Sequence, residues 1–142
     1  MIGGVAAITW GASEFTRDLD VCMDFTEANV TRLLEALAPH RPRHLTRQDL
    51  GRIADPPHAL VKFRSLLLVT DLGRLDVLRD VPPTGGYAEL AARGKQVTAY
   101  ERTLHVIGLD DLIAIKEHVA RPKDLVVAAQ LRAIRAALPP GR

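Results

Sequence analysis

Asp18, Asp20 and Asp76 are the residues whose types and spacing could do chemistry. Asp18 and Asp20 lie in "RDLDVCMDF", where Leu19, Val21, Met23 and Phe25 alternate with Asp18, Asp20, Cys22 and Asp24. A period of two marks a strand over residues 17–25 with one apolar face buried. Its opposite face then carries the carboxylates, whose mutual repulsion calls for water or a bound cation. In "RLDVL", Leu75 and Val77 point one way and Arg74 and Asp76 the other. If this strand lies beside residues 17–25 with both apolar faces inward, Asp18, Asp20 and Asp76 converge. At least one acid is then pushed toward its protonated form. A hard divalent cation, Mg2+ or Mn2+, relieves that cost through oxygen ligands. Two such ions ~3.5–4 Å apart could activate an attacking hydroxyl and stabilise a leaving pyrophosphate.

The elements that position these acids are legible from pattern. Gly3-Gly4 reads as a turn, followed by a short helix from Val5 to Trp10 that Gly11 ends. Thr26 is placed to cap a helix running to Ala38, with Val30, Leu33, Leu34 and Leu37 as its apolar stripe and Pro39 as its stop. Residues 39–59 hold four prolines with several Arg and His and read as a long basic loop containing a short helical or strand piece. His40 and His44 are four apart, but Pro42 between them argues against a helical metal pair. Leu66–Thr70 and Arg74–Leu78 form a hairpin through Asp71-Leu72-Gly73. A short helix follows from Tyr87 to Arg93, then strands over Val97–Tyr100 and Leu104–Val106. Asp110 is expected to cap a helix to Ala120, and Pro122 to open a last helix ending near Leu138. Helices interleaved with strands and one clear hairpin give an α+β (mixed α/β) domain.

Composition bounds the function classes. The 142 residues suffice for one domain, and 47% hydrophobic with 25% charged residues is globular usage. A net charge of +2 permits a nucleic-acid partner without demanding one. Cys22 is the only cysteine, which excludes an intrachain disulfide and fits a reducing cytoplasm. It is expected to pack in the sheet or at its margin. The start "MIGGVAAITWG" has neither a basic leader nor a long apolar core, so no signal peptide is expected. No apolar run approaches the ~20 residues that span a bilayer, so no membrane role is expected.

Lys116 stands out by position. Leu109, Leu112, Ile113, Ile115 and Val119 define the apolar stripe of its helix, and Lys116 falls within it. Such a lysine must snorkel out or meet an anionic partner. Asp124 sits in the first turn after Pro122, where the helix dipole alone favours an acid, and it also borders the stripe Val127, Leu131, Ile134, Leu138.

Taken together, "IGGVAAITWGASEFTRDLDV" resembles the nucleotidyltransferase superfamily, closest to the AbiEii-like bacterial proteins of toxin–antitoxin and phage-defence systems. Gly3, Gly4, Thr16, Asp18 and Asp20 match its pattern of a glycine turn, a short helix, and Thr or Ser two residues before Asp-x-Asp. Asp76 matches the third acid. The tail "GLDDLIAIKEHVARPKDLVVAAQLRAI" resembles the family's Lys-bearing helix, Arg-Pro-Lys-Asp turn and closing helix. The resemblance implies a minimal nucleotidyltransferase fold, a small mixed sheet flanked by helices. It implies magnesium- or manganese-dependent transfer of NMP from an NTP, with Asp18, Asp20 and Asp76 catalytic and metal-binding. Gly3, Gly4, Thr16, Lys116 and Asp124 would bind the nucleotide, Lys116 through the triphosphate. The acceptor could be tRNA or another RNA, gripped by the basic loop at 39–59, or a protein hydroxyl. A small-molecule acceptor would usually need a second domain. Trp10 and Glu14 stand where many members carry His and Arg. The alternative is therefore an inactive antitoxin or regulatory module with a cognate toxin–antitoxin partner. Members carry a front helix and strand before the glycine turn. Here the turn follows Met1-Ile2, so an open sheet edge and a homo-oligomer are expected.

Overall fold

The computed structural model describes residues 1–46, 53–99 and 101–139. It is an α+β fold built on a four-stranded mixed sheet. Strand β1 (Asp18–Cys22) is followed by helix α2 (Glu27–Leu37), and helix α1 (Gly3–Trp10) precedes it. Strands β2 (Arg43–His44), β3 (Ser65–Thr70) and β4 (Gly73–Leu78) complete the sheet in the order β1-β4-β3-β2, with the four-residue helix α3 (Pro57–Leu60) between β2 and β3. β1 runs parallel to β4, and β3 is antiparallel to β4 and β2. Beyond the sheet come the small pair β5 (Asp80–Val81) and β6 (Gly85–Gly86), helix α4 (Tyr87–Arg93), the hairpin of β7 (Lys95–Ala99) and β8 (Arg102–Val106), and helices α5 (Leu109–Val119) and α6 (Pro122–Ala137).

The two faces of the sheet are covered differently. Val30 of α2 and Leu60 of α3 pack on Phe25, Leu66, Leu68, Leu75 and Val77. On the other face Ala6 and Ala7 of α1, Leu90 of α4, Leu109, Leu112 and Ile113 of α5, and Val127 and Leu131 of α6 gather around Cys22 and Val106. The expected parity holds: Leu75 and Val77 turn toward α2, Arg74 and Asp76 toward the α1 side. Fully burying each large aliphatic side chain stabilises the fold by ~1.5–3 kcal/mol.

Local chemistry explains the element ends. Gly11 closes α1 at φ +103°, a left-handed conformation that favours glycine, and its amide donates to the carbonyls of Ile8 and Ala7. The Thr26 hydroxyl accepts from the Asn29 amide at 3.2 Å as the cap of α2. Pro122 takes the first position of α6, where its missing N–H costs nothing.

Several expectations need correction. β1 ends at Cys22 rather than Phe25, although the Met23 amide still donates to the Leu78 carbonyl. Leu19, expected inside, is 40% exposed and lies outside the cluster that Val30 and Leu60 cover. The acid face lines a cleft bordered by α1, α5 and α6, with the Asp18 side chain 42% exposed; Asp24 lies past the strand and is exposed. Gly108, not Asp110, caps α5, and Asp110 instead pairs with Arg135 on α6 at 2.9 Å. Pro39 stops the α-helix as expected, α2 ending at Leu37, but the loop begins later because Ala38–His40 form a 3-10 turn. The strand expected over Val97–Tyr100 begins earlier, at Lys95, and Tyr100 lies outside the described residues, as do residues 47–52 of the basic loop. The edge of β1 expected to stand open is bridged at one point, where the Ile2 amide donates to the Asp20 carbonyl at 2.9 Å.

Candidate active site

A cleft of about 290 Å³ lies between the acid face of the sheet, the start of α1, and the facing ends of α5 and α6. Its size is near the lower end of small-ligand clefts, roughly 300–1,000 Å³. It is lined by all eight residues singled out from sequence: Gly3, Gly4, Thr16, Asp18, Asp20, Asp76, Lys116 and Asp124. It also brings in Glu14, Arg74, Arg121 and Lys123.

The parallel pairing of β1 with β4 sets the acids. Asp20 stands directly opposite Asp76, and Asp18 opposite Arg74. All four side chains share one face because their positions differ by two. Asp20 holds its proton more tightly than an ordinary aspartate. Burial is the main cause, with the negative charges of Asp76 and then Asp18 adding to it, while Lys116 and the Gly4 amide pull the other way. Gly3 and Gly4, expected as a turn ahead of the helix, are instead the first two residues of α1, and they are fitted to this carboxylate. Gly3 has φ +68°, and a Cβ there would stand 2.0 Å from the Asp20 Oδ2. A Cβ on Gly4 would meet the Thr16 Cβ at 2.8 Å. The Thr16 hydroxyl donates to the Asp18 carbonyl at 3.1 Å and fixes the entry into β1.

Arg74 holds two of the acids. Its Nε donates to Asp76 Oδ1 and its Nη2 to Asp76 Oδ2, each at 2.8 Å, and its Nη1 is 3.9 Å from Asp18 Oδ2. The Asp76 side chain is only 13% exposed. Among the described residues no three His, Cys, Asp or Glu side chains converge as a ready-made metal group. The donors that Asp18, Asp20 and Asp76 offer are nevertheless all carboxylate oxygens, the ligand type that a hard divalent cation prefers.

At the opposite wall, Lys116 meets protein carboxylates. Its ammonium donates to Glu14 Oε1 at 3.0 Å and Oε2 at 3.2 Å, and to Asp124 Oδ1 at 3.2 Å. Asp124 also accepts from Arg121, and its side chain is only 2% exposed. Bonds from Arg121 and Lys116 outweigh the effect of burial and hold the Asp124 carboxyl below its usual range. Asp124 is thus more than a helix-dipole residue: it ties α5 to α6 behind the cleft.

The chain matches no protein-family model and no curated protein.

Two of the sequence departures separate in space. Glu14 is inside the cleft, bonded to Lys116. Trp10 is not among the lining residues; its indole N–H donates to the Ile107 carbonyl at 2.9 Å and Lys95 sits over its ring. His44 pairs with Asp55 at 3.3 Å rather than with His40, as Pro42 suggested. Cys22 is buried, and that burial pushes its thiol up to about 11. Sequence reasoning missed Arg121 and Lys123 as cleft residues; Glu14 stood out only through the resemblance, as an acid where a base was expected. For Arg74 the signal was present, since it shares the parity of Asp76.

Proposed function

We propose that the cleft is the active site of a metal-dependent nucleotidyltransferase that moves NMP from an NTP to an acceptor, tRNA or another RNA being one candidate. The observation that carries this reading is the register of β1 against β4, which sets Asp20 opposite Asp76 and Asp18 two residues away on the same face, beside the Gly3-Gly4 start of α1. The charge of the cleft supports it. Five carboxylates (Glu14, Asp18, Asp20, Asp76, Asp124) face four cations (Arg74, Lys116, Arg121, Lys123), a formal charge of −1. A triphosphate would be repelled unless divalent cations entered with it.

In this reading Asp18, Asp20 and Asp76 hold the ions. Bound Mg2+ or Mn2+ supplies positive charge that neutralises phosphate oxygens and makes an acceptor hydroxyl more acidic. The amides at the start of α1 and the side chain of Lys123 face the phosphates. Thr16 keeps β1 and the glycine turn in contact. Lys116 and Asp124 brace the phosphate end, and a direct phosphate contact by Lys116 requires Glu14 to give way. The acceptor oxygen attacks the α-phosphorus, the bond to the bridging oxygen breaks, pyrophosphate leaves, and the hydroxyl proton passes to water. A single unpaired cysteine accords with a cytoplasmic setting, and among the described residues no helix is long and apolar enough to cross a membrane.

A specific observation favours a second reading. The ion pairs Arg74–Asp76 and Lys116–Glu14–Asp124 are complete without a ligand. A chain with this cleft would then serve as an inactive antitoxin or regulatory partner in a toxin–antitoxin or defence system. Incubation of the protein with each α-labelled NTP, magnesium, and total RNA or cell lysate tests the enzyme reading. A labelled RNA or protein band that depends on magnesium supports it; no labelled species with any NTP removes it in favour of the second.

A further inference from the structure

We propose that Arg74 is a built-in counter-ion that closes the acid site of the metal-free protein, so that a divalent cation gains Asp76 only by displacing it. This rests on the metal-dependent reading above. Arg74 and Asp76 are two apart on β4, so their side chains leave the same face of one strand. The guanidinium lies along that face with two parallel bonds to Asp76, both 2.8 Å, and reaches toward Asp18 at 3.9 Å. It therefore takes both oxygens of one proposed metal ligand and neighbours a second.

Three features make this contact a closure rather than an ordinary surface pair. A paired fork is among the stronger ionic hydrogen bonds. Arginine does not deprotonate in proteins, so the positive charge can leave only if the side chain moves. The Arg74 side chain is 37% exposed while Asp76 is 13% exposed, so the guanidinium has open solvent to swing into and the acid does not. Asp20, the third acid, has no cation within ion-pair distance among the described residues, and its Oδ2 faces Gly3 at the start of α1. Metal affinity is thus set by competition between a tethered monovalent cation and a free divalent one, so half-filling of the site needs more free metal than the acids alone would require.

Manganese binding, read from the loss of the free-ion resonance in electron paramagnetic spectra, tests this on the full chain after chelator treatment. Arg74→Gln is expected to bind Mn2+ about tenfold or more tightly than the unaltered protein, as one strong charged contact is no longer displaced. Arg74→Lys, which keeps charge but loses the fork, should fall between them. Equal or weaker Mn2+ binding by Arg74→Gln overturns the proposal and leaves the metal reading intact. No Mn2+ binding by either protein overturns both. Circular dichroism checks folding of each variant. If Arg74→Gln does not fold, Arg74→Lys decides: tighter binding than the unaltered protein upholds the closure, equal or weaker binding rejects it.

Discussion

Replacing Lys116 by Met keeps volume and removes one charge from the cluster Glu14, Lys116, Asp124 and Arg121. That cluster is formally neutral, with two acids and two bases. The substitution leaves it at −1 inside a wall where the Glu14 side chain is 10% and the Asp124 side chain 2% exposed. Removing one partner of a buried ion pair costs ~3–5 kcal/mol. Arg121 still holds Asp124, so the lower end, about 3 kcal/mol, is expected. For a domain of this size that lowers Tm by roughly 6–12 °C. Removing the stranded charge as well, in Lys116→Met/Glu14→Gln, should recover at least ~1 kcal/mol, because residues in contact do not act additively. Urea unfolding of the unaltered protein, the single and the double variant measures all three values. A single variant as stable as the unaltered protein would refute the carboxylate partners of Lys116, and an additive double variant would refute their coupling.

Gly3→Ala forces a left-handed residue other than glycine against Asp20 Oδ2; a loss of ~2–4 kcal/mol in urea unfolding is expected, and a neutral effect would show that the turn is not fitted to Asp20. Asp124 links stability to pH. Its pKa is lowered on folding, so it contributes stability above the ordinary aspartate range, and that stability is lost as pH falls from about 4 through the lowered folded value. The unaltered protein should therefore lose urea resistance over that interval, while Asp124→Asn, weaker at pH 7, should show a flatter profile there.

Most elements were legible because their signals are local. The Thr26 cap, the hairpin at Gly73, the Pro122 start and the alternation around Asp18 and Asp20 each depend on a few neighbouring residues. The shared face of Asp18, Asp20 and Asp76 followed from parity once β1 and β4 were taken as neighbours. What was not legible depends on tertiary approach. The stripe of α5 said that Lys116 needed a partner, but Glu14 is 102 residues away, and nothing local to "GASEF" marks it as that partner. Asp110 looked like a cap because acids favour helix starts, yet Gly108 begins the helix and Asp110 pairs across to α6. Leu19 matched the apolar alternation, but its exposure depends on which elements pack over the strand, which no spacing in β1 records.

The most direct test of the central claim places the label at two positions of one nucleotide. With magnesium and the acceptor preparation, label in the α-phosphate should become acid-stable on the acceptor, while label in the γ-phosphate should leave as pyrophosphate. Both outcomes should vanish in Asp18→Ala/Asp20→Ala, whose thermal unfolding verifies that it remains folded. Transfer of the γ-label, or α-label transfer that survives the loss of both aspartates, would contradict the assignment of this acid face to nucleotidyl transfer.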